Sequence, residues 1–356
     1  MAQPIDVKKL RDYLEEKLGV RELQITSFWR NLEGWSMETF SLGISYVKNG
    51  EKVKQDIIIR KEPVSGLLDP YDVSIEYRVL TALQDTGIAI PKTYWYEADK
   101  SVLGLPFYVM EKVEGEVHFF STARMFDPDW KLIPDDKERS SLGEDFVRNL
   151  ALIHNVDWKA KGLDFLGAPR PGKEVGLRQI EYWDKIITRA GFHTKPIVAY
   201  AKRWLMDNVP DCDRVCMVHG DYRTGNYIAK DGRINAVLDW EMVHLGDPME
   251  DISYVISSVW RSPRPHQWVS HLMPEEEFFE KYERMSGIKI DKERLKFCHV
   301  LNNYKAIGIP ATAANAFRSK ANLDLKVGVF GMLIYASYFN LIKSLNKYIE
   351  PGKGVN

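Results

Sequence analysis

The sequence predicts an α+β fold of two unequal lobes: a small N-terminal lobe with an antiparallel β-sheet and one key helix, and a larger, mainly helical C-terminal lobe. Three observations support this prediction. The chain has 356 residues, which is more than one ordinary core accommodates. Strand-like runs predominate up to residue 113, and apolar residues at helical spacing predominate after Gly115. We assign the two lobes to residues 1–114 and 115–356.

The small lobe is predicted to begin with an amphipathic helix over residues 7–18. Its predicted strands cover residues 23–29, 39–47, 54–61, 93–96 and 105–113. The Asn-Gly pair at 49–50 is typical of a hairpin turn between two of them. A helix that carries Glu76 is predicted to start near Asp69, because Asp caps helices and the proline after it fits a first turn.

The large lobe is predicted to contain several long helices and a few short strands. The predicted helices cover residues 140–154, 174–189 and 194–208. Three apolar runs at 214–218, 227–229 and 234–238 predict a hairpin with polar residues at its mouth. The apolar segment 327–341 contains a glycine and polar residues, so we predict a buried helix there and not a membrane span.

Bulk composition excludes several classes of function. The chain has 49 basic and 50 acidic side chains, a balance that disfavours nucleic acid or an anionic membrane as a partner. Its three cysteines have spacings that suit neither a disulfide framework nor a zinc site, and they predict buried thiols in a reducing compartment. The charged N-terminal residues exclude a secretory segment. We expect a cytoplasmic protein, monomeric or homodimeric.

Three oxygen-bearing side chains lie at the ends of the predicted short strands. Asp221 and Asn226 are five residues apart, between the strands 214–218 and 227–229, and Asp239 follows the strand 234–238. A single Asp or Asn before a strand is usually a turn former, but the ordered set favours a site. Phosphoryl transfer needs Mg²⁺ held by oxygens and a carboxylate that positions the nucleophile. Asn226 and Asp239 fit the first demand and Asp221 the second.

These motifs resemble those of the aminoglycoside phosphotransferase and choline kinase group of small-molecule kinases. The matching segments are His-Gly-Asp-x4-Asn at 219–226, Asp-Trp-Glu at 239–241, Gly-Asp-Pro at 246–248 and residues 150–157, and the resemblance spans about residues 25–260. It implies a bilobal protein-kinase-like fold that uses ATP and Mg²⁺ to phosphorylate a hydroxyl group of a small molecule. The first lobe would bind the nucleotide, and the second would contain the catalytic residues and the acceptor.

By the same resemblance, Asp221 accepts the hydroxyl proton and Asn226 and Asp239 hold the metal. Arg223 either stabilises the transferred phosphate or makes a structural pair with a nearby acid. Since Asp221 supplies the base, His154 and His219 are interpreted as structural.

Arg60 and Glu76 are the candidates for the basic residue that holds the nucleotide phosphates and the helix acid that holds this basic residue. Lysine is usual at this position, but a guanidinium also stays charged and can bridge two phosphate oxygens. Lys61 is the rival, on the opposite face of the strand, and a plain surface salt bridge of Arg60 is the structural alternative.

The remaining nucleotide contacts come from the resemblance alone. Main-chain atoms of Glu111 and Val113, at the end of a predicted strand, would recognise the base. Gly34 and Ser36, in the loop 31–38, would approach the phosphates, or that loop is an ordinary hairpin connection. Asp247 and Asp251 are interpreted as structural residues at a helix start.

The acceptor is predicted from charge and resemblance. A polycationic aminoglycoside needs a concentration of carboxylates, and the acids after Asp251 gather mainly at 275–277 and 280 on a solvated helix. Residues 60–63 and Trp183 look closest to the kinase-like branch associated with acyl-CoA dehydrogenases, which implies a hydroxyacyl-CoA-like acceptor. An aminoglycoside kinase and a catalytically inactive nucleotide-binding protein are the alternatives.

Overall fold

The structure is a computed structural model that describes residues 5–31, 37–64, 71–118, 132–262 and 266–348. The predicted phosphate-contacting residues Gly34 and Ser36 therefore lie outside the described residues.

The small lobe is built on an antiparallel sheet in the order β1-β2-β3-β5-β4. Its strands are β1 (Arg21–Asn31), β2 (Glu38–Lys48), β3 (Glu51–Lys61), β4 (Thr93–Glu97) and β5 (Phe107–Glu111). Apolar residues of one sheet face pack beneath helix α1 (Val7–Leu18), which buries Leu10 and Leu14 completely. This sheet lobe, together with the helical lobe described next, confirms the predicted α+β fold of two lobes.

Helix α2 (Val73–Ala82) carries Glu76 as predicted, but its start differs from the prediction. The helix begins at Val73, and the side chain of Asp72 caps it by accepting a hydrogen bond from the Ser74 amide at 3.0 Å, whereas Asp69 lies outside the described residues. Both aspartates are good caps, and the sequence alone does not distinguish them. A four-residue helix, α3 (Lys100–Leu103), follows.

The large lobe is mainly helical and also contains short strand pairs. Its helices are α4 (Asp136–His154), α5 (Glu174–Arg189), α6 (Pro196–Asp207), α7 (Met249–Val255), α8 (Glu275–Ser286), α9 (Lys292–Arg318), α10 (Leu325–Met332) and α11 (Ile334–Tyr348). Its strands are β6 (Cys216–Val218), β7 (Tyr227–Lys230), β8 (Arg233–Val237) and β9 (His244–Gly246).

The predicted three-run hairpin is only partly correct. β7 and β8 form the hairpin, whereas β6 pairs with β9, an antiparallel partner that the sequence did not reveal. Because of this pairing, the polar segment between β6 and β7 lies beside the segment between β8 and β9. Asp221 and Asn226 are thereby brought close to Asp239, which lies in a separate loop.

The C-terminal apolar segment is not the buried helix that the sequence predicts. It forms α10 and α11, which pack against α9 through one face, while large apolar side chains such as Leu325, Met332 and Phe339 are exposed. Residues 325–348 have the length and hydropathy of a membrane span. Within them, 22% of the most apolar stretch of 18 residues is buried. Apolar composition alone could not distinguish the covered face from the exposed one.

The three cysteines are buried thiols, as predicted, and none forms a disulfide. Burial raises the pKa of Cys212 to about 12. Burial also raises the pKa values of Cys216 and Cys298 well above the ordinary value for a thiol. All three sulfurs therefore stay protonated at neutral pH.

The chain crosses between the lobes at Gly115, where the backbone lies directly against β7. The amide of Glu116 donates to the Ala229 carbonyl and the Ala229 amide donates to the Glu116 carbonyl, both at 2.8 Å. Gly115 has φ +132°, and a Cβ there would overlap the Ala229 carbonyl and lie 2.7 Å from Ile228 Cγ2. Only glycine therefore fits this crossing without strain.

We predict that Gly115→Ala lowers the free energy of unfolding by about 2–4 kcal/mol, because it adds a backbone clash to an unfavourable φ. Gly87→Ala is the matched control, since Gly87 also has positive φ (+77°) but open space around its Cβ position. Urea unfolding of both variants measures the difference. Equal losses of stability in the two variants would contradict the close approach at Gly115.

Candidate active site

The catalytic-loop candidates lie on residues 219–226, which connect β6 to β7. A Cβ on Gly220 (φ +84°) would lie 2.7 Å from the Met242 carbonyl oxygen, so the loop passes close to the segment after β8. The amide of Leu238 donates to the Asn226 carbonyl at 2.8 Å. This bond brings Asn226 next to the residue that precedes Asp239.

The carboxylate of Asp221 is held in place by two neighbours. Asn226 Nδ2 donates to Asp221 Oδ2 at 2.6 Å, and Arg223 Nε donates to Asp221 Oδ1 at 3.2 Å. The side chain of Asp221 is 16% exposed, so it is fixed but reachable. A second bond from Asn226 Nδ2 to the Asp221 carbonyl, at 2.9 Å, stiffens the same turn.

Arg60 connects the two lobes through acids on both sides. Its Nε donates to Glu76 at 3.2 Å, and its Nη1 and Nη2 donate to Asp239 Oδ1 at 3.2 Å. Glu76 also accepts from the Trp240 amide at 3.3 Å. Burial opposes the charge of Arg60, but Glu76 and Asp239 together raise its pKa well above the ordinary value. Arg60 therefore remains a cation in the cleft.

Lys61 lies on the other face of β3 and contacts a different acid. Its Nζ is 2.5 Å from Glu38 Oε2, and both side chains are 7% exposed. Of the two basic residues considered from the sequence, only Arg60 contacts Glu76 and Asp239 among the described residues. The pair of Arg60 with Glu76 is also buried and not a surface salt bridge.

The donor set of Asn226 and Asp239 fits a hard cation. Asp239 has φ +60° at the start of a short 3₁₀ turn, and its side chain is 39% exposed. Within the described part of the chain, Asp239 Oδ2 and Asn226 Oδ1 accept no hydrogen bond. No cluster of three or more His, Cys, Asp or Glu side chains there could bind a metal without other ligands. Phosphate oxygens would have to complete the coordination of Mg²⁺.

Asp251, on α7, holds the start of the loop 219–226 in place. Its buried carboxylate accepts from the amides of His219 and Gly220 at 2.8 and 2.9 Å and from His154 Nε2 at 3.1 Å. Burial works against the charge, but His154 and the His219 amide lower the pKa of Asp251 to about 2. Nδ1 of His154 then accepts from the Tyr282 hydroxyl at 2.6 Å.

Both histidines have structural contacts. His219 Nε2 donates to the Leu238 carbonyl at 2.9 Å, and its Nδ1 accepts from the Asp221 amide at 3.2 Å. Burial lowers the pKa of His219, so this neutral tautomer is favoured.

Asp247 also has structural contacts. It accepts from the Met249 amide at 2.9 Å, while Glu250 accepts from the Asp247 amide at 3.3 Å. These two bonds tie Asp247 to Met249 and Glu250 at the start of α7 and agree with a structural role for Asp247.

Sequence reasoning missed Lys305, a buried lysine on α9. Its Nζ donates to the Gly220 carbonyl and lies 5.0 Å from the Tyr254 ring and 5.7 Å from the Trp183 ring. Burial lowers the pKa of Lys305, while Asp221 is among the acids that oppose this shift. A lysine in the middle of a long helix gives no signal in one sequence. Its role depends on a contact 85 residues away along the chain.

One side of Asp221 is aromatic and cationic. The Arg223 guanidinium lies 4.5 Å from the Trp260 ring, and the Tyr254 ring is 5.7 Å from Trp260. Burial and then the neighbouring Asp221 raise the pKa of Tyr254 well above its ordinary value. Tyr335 and Phe339, by contrast, lie exposed on α11.

The predicted base-contacting segment at Glu111 and Val113 borders a large cavity. Val113 lines this cavity of about 780 Å³, together with Gly115, His118 and Ala229, whereas Glu111 is not among its lining residues. The amide of Glu111 donates instead to the Lys92 carbonyl at 2.9 Å. Main-chain groups near Val113 are therefore better placed for a bound base than the amide of Glu111.

The fold and the site can now be compared with known proteins. A model of the family described as "Phosphotransferase enzyme family" matches residues 47–297, which is more than half of the chain. The chain belongs to the phosphotransferase enzyme family. Enzymes of this family phosphorylate hydroxyl groups of small molecules, so the chain is a phosphotransferase with an alcohol group as acceptor.

Solved structures and curated relatives agree with membership of the phosphotransferase enzyme family. A putative aminoglycoside phosphotransferase from Ralstonia eutropha is 25% identical, with a TM-score of 0.71 over 97% of this chain and 99% of that one. A macrolide 2'-phosphotransferase type I is 16% identical, with a TM-score of 0.58 over 96% and 98% of the two chains, and shows the fold alone.

Acyl-CoA dehydrogenase family member 11 is a relative in several animals. The Rattus norvegicus protein is 30% identical over 85% of this chain and the Homo sapiens protein is 30% identical over 85%. The chain spans 38% of the length of each of these relatives.

We predict that Asp251→Asn lowers the free energy of unfolding by about 2–4 kcal/mol at pH 7, because an amide presents one oxygen and two N–H groups to three hydrogen-bond donors. The depressed pKa of about 2 means that the carboxylate contributes fully above about pH 4. That contribution is lost as the pH falls towards 2, so the difference between variant and wild type shrinks there.

Asp207→Asn is the control, since Asp207 is 67% exposed on α6 and should change stability by less than about 0.5 kcal/mol. Urea unfolding between pH 3 and pH 7 measures both variants. A wild-type midpoint for Asp251→Asn at pH 7 would show that the buried carboxylate does not anchor the loop.

Proposed function

We propose that this phosphotransferase moves the γ-phosphoryl group of ATP to a hydroxyl group of a hydroxyacyl-CoA-like small molecule. The observation that carries the proposal is the fixed carboxylate of Asp221, held by Asn226 and Arg223 beside the contact between Arg60 and Asp239. The carboxylate of Asp239 thus contacts Arg60, whereas the carboxylate of Asp221 contacts Arg223 and Asn226.

In this reaction the acceptor oxygen bonds to the γ-phosphorus as the bond to the bridging β,γ-oxygen breaks. The hydroxyl proton passes to Asp221, and ADP leaves with the negative charge of the broken bond. Arg60 binds phosphate oxygens, and Glu76 keeps its guanidinium in position. Arg223 lies beside Asp221 and can stabilise charge on the transferred group.

Asn226 and Asp239 would hold Mg²⁺, which when bound screens the phosphate charge. Support for a nucleotide comes from a similar fold, an aminoglycoside phosphotransferase APH(4)-Ia mutant in ternary complex with AMP-PNP and hygromycin B. That protein is 14% identical, with a TM-score of 0.58 over 96% of this chain and 99% of that chain. The two unpaired oxygens at the candidate metal position are the support within this chain.

The charges near Asp221 argue against a polycationic acceptor. Asp221 itself pairs with Arg223, Asp251 pairs with His154, and Glu250 Oε2 is 3.1 Å from His244 Nε2. The buried ammonium of Lys305 is an additional cation. Because the carboxylates named here already pair with basic side chains of the protein, the site favours a neutral or anionic molecule over an aminoglycoside.

A thioester acceptor is supported by the relatives whose names include acyl-CoA dehydrogenase. The aromatic rings of Tyr254 and Trp260 beside Arg223 offer an apolar wall for an acyl chain. An inactive nucleotide-binding protein is less well supported, because Asp221, Asn226 and Asp239 are all present.

We predict that Asp221→Asn lowers kcat by about 10²–10⁴-fold, since the acceptor proton loses its base. Binding of a fluorescent ATP analogue should stay near the wild-type affinity. ADP release with the best acceptor measures the first quantity. The control is Asp213→Asn, an exposed residue before β6, which should keep wild-type turnover. Full turnover by Asp221→Asn would exclude the proposed mechanism.

We predict that a hydroxyacyl-CoA supports faster ADP release than hygromycin B or a macrolide at equal concentration. The physical reason is that Arg223 and Lys305 repel a polycation and tolerate an anionic ester. A panel of hydroxyacyl-CoA esters, aminoglycosides and macrolides, assayed with ATP and Mg²⁺, measures the preference. A higher kcat/KM for an aminoglycoside would overturn the proposed acceptor and leave the kinase assignment intact.

A further inference from the structure

A basic groove lies between the segment after α7, the start of α9 and the end of α11. It consists of adjoining cavities of about 310 and 250 Å³. Both cavities are lined by Ile256, Arg261, His299 and Lys347. The groove lies outside the catalytic loop, and no role described above uses it.

Five basic side chains line the basic groove against two acids: the basic residues are Arg261, Lys292, Lys296, Lys343 and Lys347. Both acids are already paired, Glu275 with Arg261 and Glu293 with Lys296. In the part of the chain that the structure describes, the other three lysines form no ion pair. The groove therefore has an excess of positive charge that the described residues do not neutralise.

The lysines occur as two like-charged pairs at helical spacing. Lys292 and Lys296 are four residues apart on α9, and Lys343 and Lys347 are four residues apart on α11. Like charges at this spacing destabilise a helix. Two such pairs that converge on one groove favour a ligand with several negative charges.

The lining also offers neutral hydrogen-bond donors. The hydroxyl groups of Ser257 and Ser258 and the side-chain amide of Asn340 border the smaller cavity, whereas Ser344 and Asn303 there already donate to main-chain carbonyls of α11 and α9. Burial, then Lys347 and then Arg261 lower the pKa of His299 to about 4. Ammonium groups beside hydroxyl and amide donors form the surroundings that phosphate oxygens require.

The basic groove adjoins the acceptor side of the active site. Trp260 packs against Arg223, which contacts Asp221, and the next residue, Arg261, lines both cavities. The Arg261 Nε also donates to the Ile256 carbonyl at 3.0 Å, which folds this segment tightly. One short segment thus separates the catalytic carboxylate from the groove.

We propose that the basic groove binds the phosphate groups of the acceptor's coenzyme A portion while the acyl hydroxyl lies at Asp221. The identity of this ligand rests on the proposed function. The excess positive charge and the hydrogen-bond donors of the groove do not depend on the proposed function. The shared chemistry is a cluster of phosphates on one molecule, and a free inorganic or nucleotide phosphate is the alternative source.

Calorimetry with coenzyme A, at fixed ionic strength and saturating AMP-PNP and Mg²⁺, tests the groove directly. The variants are Lys343→Gln/Lys347→Gln and Lys292→Gln/Lys296→Gln. Each should raise the Kd for coenzyme A at least tenfold and reduce its dependence on salt. Neither variant should be measurably less stable than wild type without ligand. Lys343→Gln/Lys347→Gln removes a like-charged pair, and Lys292→Gln/Lys296→Gln removes a like-charged pair together with the exposed Lys296–Glu293 ion pair, whose contribution is small.

Lys52→Gln/Lys54→Gln is the control, since these exposed lysines lie on β3 in the other lobe and give the same change in charge. Its Kd should stay within twofold of wild type. Turnover of a hydroxyacyl-CoA and of the matching hydroxyacyl-pantetheine, which lacks the nucleotide phosphates, adds a second readout. The groove variants should raise KM for the first ester and leave kcat and the second ester unchanged.

Unchanged coenzyme A binding in both groove variants would overturn the proposal. Inorganic pyrophosphate that binds as tightly as coenzyme A would also overturn it, because the groove would then be a general anion site. Groove-dependent binding of coenzyme A without ADP release from any hydroxyacyl ester would uphold the groove and refute the proposed function. The two proposals can therefore fail separately.

Discussion

The buried carboxylate of Asp251 is the constraint on which the rest of the large lobe depends. A charge with no exposure is tolerated in a folded protein only when hydrogen bonds surround it. Here those bonds come from two successive amides of the catalytic loop and from His154 on α4. The charge therefore requires α4, α7 and the loop to meet at one point. The position of Asp221 follows from that requirement, since it is the next residue in the loop.

Arg60 performs the corresponding task between the lobes. Its guanidinium contacts Glu76 from the small lobe and Asp239 from the large lobe, so one cation holds both sides of the cleft. Glu76 reaches the large lobe as well, through the Trp240 amide. The apolar core that surrounds α2 continues into the large lobe and gives these polar contacts a dry setting. The lobes are joined by the same groups that we propose for binding the nucleotide phosphates.

Local signals in the sequence predicted most elements and the ordered set of Asp221, Asn226 and Asp239. Helix α5 has the predicted bounds because its apolar period is regular and a glycine-containing turn precedes it. Predictions failed where the deciding contact is distant along the chain. The pairing of β6 with β9 and the contact of Lys305 with Gly220 are of this kind, and the exposed face of α10 and α11 is another. Periodicity reports which residues share a face but not what covers that face.

The protonated, inaccessible cysteines have a practical consequence for the study of this enzyme. A thiol that is neither ionised nor exposed reacts slowly with maleimides and iodoacetamides, because the thiolate is the nucleophile. All three native thiols belong to this class. The native cysteines of the wild-type chain should therefore take up little label, so that an engineered cysteine is labelled selectively. A fluorophore pair attached to one engineered cysteine in each lobe could report the opening and closing of the cleft without removal of any native sulfur.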